Sequence, residues 1–524
     1  MPDLVKIIEN GYLFTCDGQN RSGQFAVLVR DDRIAEVSTR GDLFKSLHPN
    51  AEVIDASGKI IVPGFVDPHV HGESFLLRYF TGGVGMARWN RETSIRTVME
   101  YFRNTASTND FVSAYRLAYV AALKNGVTTV AEFGFDRFGY PLAASLEALR
   151  ISELRGVIGL HNGDQLEELS KPRRPKIRFA LPISQEEELT TYNLQSTIRS
   201  AREHQLPLIA HVGETRGGLE TVKKNFRKTI VQLLDEYRVF DLPVHIPHLT
   251  ALEGGDLDIL AGKKVSLMLS PRAMFDKQTD FPPVDELVRR GIPLALASDW
   301  GVADPLATMH SFQLLEEVLR IPGIAPSTIL SMHTKIAAQA IGMQSEVGSI
   351  EAGKKADMAF VDVSDHRLQG VLSLKDSEAI LNVLLREALG SCVSDVMIDG
   401  QFYLRKGQVL AYAEEDLVHD QNRLLEKLVA ISGAGPRANR TAGGQPLPDR
   451  WQAGVRTGLA GIAPILPFVM PRVEEEQEPE EESEPQSESA DDRVHQQQTK
   501  NNAPSHTDKP PHKRITKIFG EDDA

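Results

Sequence analysis

The fold class this sequence predicts is α/β: a (β/α)8 (TIM) barrel, a small discontinuous β-sandwich domain built from the N- and C-terminal flanks, and a disordered acidic C-terminal tail. Three observations lead to it. From Lys59 to about Gly342, short apolar runs alternate with helical stretches, as parallel strands joined by helices require. On either side of that region lie strand-like segments punctuated by Gly, Asn and Asp, the pattern of antiparallel β-structure. From Arg472 to Ala524 there are 15 Asp and Glu against 7 Lys and Arg, amid Gln, Ser and Pro. Such a composition buries too little apolar surface to offset the entropy of ordering it.

The first flank contains Lys6–Thr15, Phe25–Val29, Ile34–Val37 and Val53–Asp55. Eight barrel strands are then expected at Ile60–Val66, Val127–Phe133, Gly156–Leu160, Ile177–Leu181, Pro207–Val212, Val244–Pro247, Val265–Leu269 and Pro293–Ala297. Strand character returns at Ala359–Val363 and in the pair Val396–Ile398 and Phe402–Leu404, which Asp399-Gly400 joins as a hairpin. The expected organisation is residues 1–58 plus 345–414 as the β-sandwich, 59–344 as the barrel, 415–471 as a helix and arm, and 472–524 as the tail. In the arm, the apolar run Gly458–Val469 holds Pro464 and Pro467 and is too short to span a bilayer.

Composition narrows the function. Of 524 residues, 41% are hydrophobic and 25% charged, and the net charge is −14. An acidic balance disfavours phosphate-backbone binding, so nucleic acid is not an expected partner. The two cysteines, Cys16 and Cys392, lie outside any CxxC spacing, which suggests neither a disulfide framework nor a thiolate metal site. The N-terminal segment lacks a basic region followed by a continuous apolar run, so the cytoplasm is the expected location and a membrane is not an expected partner.

Chemistry concentrates at the ends of the expected strands. Pro63-Gly64-Phe65-Val66-Asp67-Pro68-His69-Val70-His71 closes the first. Alternation along an extended chain puts His69 and His71 on one side, where both imidazoles can meet one ion. His211 closes the fifth strand, followed by Glu214; His245 lies on the sixth, in VHIPHLT; Asp299 closes the eighth, in ASDWG. Barrel enzymes assemble their sites on this C-terminal rim. Three neutral imidazoles and one carboxylate suit one divalent ion, Zn²⁺ or alternatively Fe²⁺. An ion so held lowers the pKa of a bound water towards neutrality, and an adjacent carboxylate can shuttle the proton to a leaving nitrogen. Glu214 has that chemistry, and Asp299 can serve as both ligand and base. His204, His310 and His333 lie in helical patterns without ligand-spaced partners and read as packing residues.

These motifs, with the run Gly348-Ser349-Ile350-Glu351-Ala352-Gly353-Lys354-Lys355-Ala356-Asp357, resemble the amidohydrolase superfamily, in the branch of chlorohydrolases, guanine deaminases and cytosine deaminase. The resemblance covers about residues 5–412. It implies a hydrolase acting on carbon–nitrogen bonds other than peptide bonds, by deaminating a ring amidine or opening a cyclic or linear amide. It also implies that His69, His71, His211 and Asp299 bind the metal and that Glu214 shuttles the proton. A strand-six histidine orients the water or polarises the substrate. His245 matches that position better than His248, because it sits on the expected strand and precedes His-Leu-Thr. Binuclear relatives carry a lysine at the end of strand four, where this chain has Phe179-Ala180-Leu181-Pro182, so one metal is expected.

The chain departs from the pattern after strand seven, where Ser270-Pro271-Arg272-Ala273-Met274 stands in place of the relatives' Asn-Pro-x-Ser-Asn. Arg272 there could hold a substrate carboxylate or phosphate. Glu73, Arg78 and Glu132 are further polar residues near the rim, for which a rim salt bridge is the alternative. The expected partners are a small-molecule substrate, further copies of the chain in a homo-oligomer, and a protein that binds the tail. The rival reading is a non-catalytic scaffold that keeps the fold; loss of metal ligands would mark it, and none is missing.

Overall fold

The computed structural model describes residues 4–133, 142–160, 166, 176–321, 323–411 and 413–433. The arm beyond residue 433 and the acidic tail lie outside them. Eight parallel strands form the barrel: β1 (Phe65–Val70), β2 (Val127–Glu132), β3 (Arg155–Gly159), β4 (Ile177–Pro182), β5 (Leu208–Ile209), β6 (Val244–Pro247), β7 (Leu267–Leu269) and β8 (Leu294–Leu296). Each is hydrogen-bonded to its neighbour in chain order. Closure runs between β1 and the end of β8, where His71 N donates to Asp299 O at 3.0 Å and Asp299 N to His69 O at 2.8 Å. Three of the expected metal ligands, His69, His71 and Asp299, are thus locked together by backbone hydrogen bonds.

Alternate residues fill the barrel interior, among them Val66, Val157, Ile209 and Met268, all at 0–1% exposure. Ala337 and Ala338 of the helix Lys335–Ala340 join the same apolar cluster, and Val66 N donates to His333 O at 3.1 Å. This apolar plug at the N-terminal end leaves polar side chains to the opposite rim, the division of labour the fold uses elsewhere.

The flanks form two sheets. Arg33–Ser38, Ala26–Arg30, Val5–Glu9 and Glu52–Asp55 make one of four strands. The other has seven, and in it Lys59–Pro63 pairs antiparallel with Met358–Asp362, joining the segments that precede and follow the barrel. The hairpin of Val393–Ile398 and Gln401–Arg405 turns at Asp399 and Gly400, both at positive φ (49° and 72°), as the Asp-Gly dipeptide predicts.

The expected first barrel strand, Ile60–Val66, is divided. Its first part belongs to the seven-stranded sheet, and the barrel strand begins at Phe65. Gly64 makes the division: a Cβ there would lie 2.3 Å from Thr128 Cγ2, so the chain passes β2 closer than any side chain allows.

A buried ion network ties barrel to sheet. Arg155 at the start of β3, 1% exposed, donates to Asp357 Oδ2 at 3.1 Å and to Asp399 Oδ1 at 2.7 Å. The helix Glu414–Ser432 packs against the helices Thr93–Asn104 and Thr108–Lys124, with Lys427 Nζ 3.1 Å from Asp110 Oδ2. Among the described residues, no helix is long and apolar enough to cross a membrane.

Candidate metal centre

The rim gathers six chemistry-bearing side chains. His69 and His71 leave β1 on the same face, their rings 4.7 Å apart. His211 follows β5, its ring 5.1 Å from that of His69. The chain then turns at Gly213, φ +70°, where a Cβ would meet Leu249 Cδ2 at 2.8 Å; only glycine fits both demands. Thr250 Oγ1 donates to the carbonyls of Gly213 (3.0 Å) and Glu214 (2.7 Å), tying the loops after β5 and β6 together. Glu214 is therefore presented from a fixed backbone. Its side chain is 17% exposed, whereas those of His69, His71 and Asp299 are at most 7%. Glu214 is the more open of these residues to an incoming molecule.

The sixth strand brings His248 to this cluster, not His245. His248 Nε2 lies 3.2 Å from His211 Nε2, and the two rings are 4.6 Å apart. The reason is register. His245 pairs with Ile209, two residues before His211, while His248 bridges to Val212. His245 therefore lies one layer down inside the barrel, buried, with burial pushing its ring down to about 4. The chain reaches the rim through a turn in which His248 and Leu249 both have positive φ (68° and 54°). Asp299 is also left-handed, at 58°. Such non-glycine conformations cost about 1–3 kcal/mol each and collect at functional sites.

Asp299 Oδ1 lies 3.3 Å from His69 Nε2 and 3.4 Å from His71 Nε2. Both Asp299 Oδ1 and His69 Nε2 are buried without a hydrogen bond of proper geometry. Four ligands at the usual Zn–N and Zn–O bond lengths, arranged tetrahedrally, stand about 3.3–3.4 Å from one another. The spacing of these atoms, with Asp299 Oδ1 and His69 Nε2 lacking a well-formed hydrogen bond, fits a divalent ion. The metal-capable groups overlap: His69, His71 and His211; His69, His248 and Asp299; His211, Glu214 and His248. Burial lowers His69 to about 3; burial with neighbouring imidazoles lowers His211, and burial with the Lys277 charge lowers His248. These three rings are neutral at pH 7, as metal ligation requires.

Lys277 was not anticipated among the site residues. It ends the helix Pro271–Lys277 directly after β7, and its buried ammonium sits 2.6 Å from Asp299 Oδ2 and 2.8 Å from Glu214 Oε1. Although burial opposes ionisation, the Lys277 charge holds Asp299 well below the usual carboxylate range and lowers Glu214 as well. No motif marks it: two helical turns carry it back from the rim to the site, a placement visible only in three dimensions. Arg272 occupies the first turn of the same helix, half-buried. It lies near Arg78, whose guanidinium is pushed down by burial and further by the Arg272 charge. Lys176 lies at the opposite end of β4, paired with Glu153 at 2.8 Å, and β4 ends in Pro182 with no lysine at its rim.

Trp300 follows Asp299, its ring 6.2 Å from that of His71 and 4.8 Å from that of Trp89, forming an aromatic wall beside the centre. Glu73 and Glu132 do not lie on the open rim. Both are buried behind His71, at 3% and 0% exposure.

The Amidohydrolase family profile matches residues 60–403, well over half of the chain. The chain belongs to the amidohydrolase family. It is a metal-dependent hydrolase of carbon–nitrogen bonds other than peptide bonds. The amidohydrolase is 26% identical over 420 residues to a 5-methylthioadenosine/S-adenosylhomocysteine deaminase of Moorella thermoacetica, covering 77% of this chain and 95% of that protein. It is 25% identical over 450 residues to a 5'-deoxyadenosine deaminase of Methanosarcina mazei, covering 82% and 99%. Among solved structures, an adenosine deaminase from Xanthomonas campestris with bound zinc superposes with a TM-score of 0.72 at 20% identity, covering 81% of this chain and 98% of that one. That likeness bears on the fold.

Proposed function

We propose that this amidohydrolase deaminates an adenosine-type nucleoside carrying a modified 5' position, with a single divalent ion, Zn²⁺, held by His69, His71, His211 and Asp299. The observation that carries this reading is the 3.3–3.4 Å spacing of Asp299 Oδ1 from His69 Nε2 and His71 Nε2, beside a carboxylate held in place by a lysine. The activities of the two sequence relatives supply the substrate class. When bound, the ion supplies Lewis acidity and a water activated at neutral pH.

The chain's own residues do the rest. Glu214, ionised because of Lys277, accepts a proton from the attacking water and delivers it to the exocyclic nitrogen. Water and the 6-amino compound become the 6-oxo compound and ammonia. Lys277 fixes the Glu214 carboxylate through Oε1 and so limits the geometries from which the proton moves. His248, at the edge of the cluster, is placed to donate to negative charge that develops as the ring carbon becomes tetrahedral. Arg272 and Arg78 offer positive charge at the rim for an anionic group on the substrate.

The test is ammonia release, with the accompanying ultraviolet change, from 5'-methylthioadenosine, S-adenosylhomocysteine, 5'-deoxyadenosine and adenosine, beside guanine, cytosine and a chlorotriazine. Turnover of at least one adenosine-type nucleoside with the others inert is the expected result. Turnover confined to free bases or triazines would replace the substrate assignment while leaving the hydrolase in place.

A further inference from the structure

Behind His71, on the side away from the metal centre, is a buried polar assembly that the proposed reaction does not use. His71 Nδ1 lies 3.1 Å from Glu73 Oε1, while its Nε2 faces Asp299. Glu132 Oε2 accepts from Gly72 N at 2.9 Å and from Tyr119 Oη at 3.1 Å, and Tyr119 Oη is 3.0 Å from Ser145 Oγ. The Glu73 and Glu132 carboxyls lie close together, and burial with the nearby Glu73 charge pushes the Glu132 carboxyl well above its usual range. Gly72 sits in the middle: a Cβ there would lie 2.5 Å from Tyr115 Cδ1 and 3.0 Å from Glu132 Oε2. The turn is packed so tightly against these residues that a side chain cannot be accommodated.

We infer that Glu73 and Glu132 are positioning residues for the metal centre: Glu73 accepts the Nδ1–H of His71 and so presents Nε2 to the ion, and Glu132 clamps the Gly72 turn that carries both. This rests on His71 being a ligand. Burying carboxyls in an apolar setting is costly unless each is hydrogen-bonded, and here the partners lead to His71. A ring whose Nδ1–H is held by a carboxylate has one tautomer, one orientation and a more basic Nε2. The same three side chains lie close enough to ligate an ion of their own. Gly72 N and Tyr119 Oη, however, are donors pointed at Glu132, which suits an acceptor within a hydrogen-bonded assembly.

The experiment is Zn²⁺ affinity by chelator competition on full-length protein, for wild type, Glu73→Ala, Glu73→Gln, Glu132→Gln and His71→Ala, with folding followed by circular dichroism. Glu73→Ala is expected to bind Zn²⁺ about 10–100-fold more weakly, and Glu73→Gln to recover part of the loss, because its amide oxygen still accepts the Nδ1–H. Glu132→Gln should weaken binding to a smaller degree. Should Glu73→Ala not fold, the absorption spectrum of the Co²⁺ form of Glu73→Gln against wild type reports the same geometry, and a difference is expected. Wild-type affinity in Glu73→Ala, an unchanged Co²⁺ spectrum, equal loss in Gln and Ala, or a second metal equivalent lost on Glu132→Gln would each overturn the inference. Unchanged affinity in His71→Ala would instead refute the ligand assignment on which it rests.

Discussion

Replacing Glu214 with glutamine is expected to lower kcat by about 10²–10⁴-fold, the usual contribution of a positioned general acid–base group, while bound metal stays at the wild-type level. The amide keeps the shape and an acceptor oxygen for the Lys277 ammonium, 2.8 Å away in the native protein, but cannot take up the proton. KM should change little, because the loss falls on the transition state rather than on binding. Lys277→Met separates support from chemistry. Without the ammonium, the Asp299 and Glu214 carboxylates lose their nearest compensating charge, and the drop in kcat should come with a Glu214 limb of the pH–rate profile moved upward. Near-wild-type turnover of Glu214→Gln would refute the shuttle.

His248→Ala is expected to cost about 10²–10³-fold in kcat, the effect of removing one donor aimed at developing charge. His245→Gln should leave kcat of the folded enzyme near wild type and lower its thermal stability. The structural contrast is direct: His248 contacts His211, whereas His245 is buried a layer below at the level of Ile209. Burial pushes the His245 ring down to about 4, below an unfolded value of about 6.5. The folded state thus keeps it neutral. Its contribution to stability is complete above about pH 6.5 and is lost as the pH falls towards 4, so the glutamine variant should lose part of the wild type's acid sensitivity. Steady-state kinetics and melting curves between pH 4 and 8 check both halves. A catalytic loss on His245→Gln equal to that on His248→Ala would reverse the assignment.

Most of the barrel was legible because each strand is a short apolar run between breakers. Val244–Pro247 is observed with the expected ends, and Val127–Phe133 differs by one residue. The split at Gly64 was not legible, because the run from Ile60 to Val66 is continuous in hydrophobicity and only the approach of Thr128 divides it. The gathering of His69, His71, His211, Glu214 and Asp299 on one rim is legible from their places at strand ends. The sequence favours His245 over His248 as the clustered ring because strand alternation stops at Pro247: the left-handed pair His248 and Leu249 turns the next imidazole towards His211, and nothing in a hydrophobic pattern encodes that turn. Lys277 and the partnership of Glu73 with Glu132 depend on helix length and side-chain direction, properties that a linear pattern does not carry.

The most direct test of a metal-dependent amidohydrolase built on this cluster is elemental analysis of the purified protein for Zn, Fe, Mn and Ni, beside a His69→Ala/His71→Ala control. About one equivalent of a divalent ion in the wild type, lost in the control, is the predicted result for a single site of this ligand set. Protein that stays free of metal after metal-supplemented preparation, or a control that keeps its ion, would contradict the account.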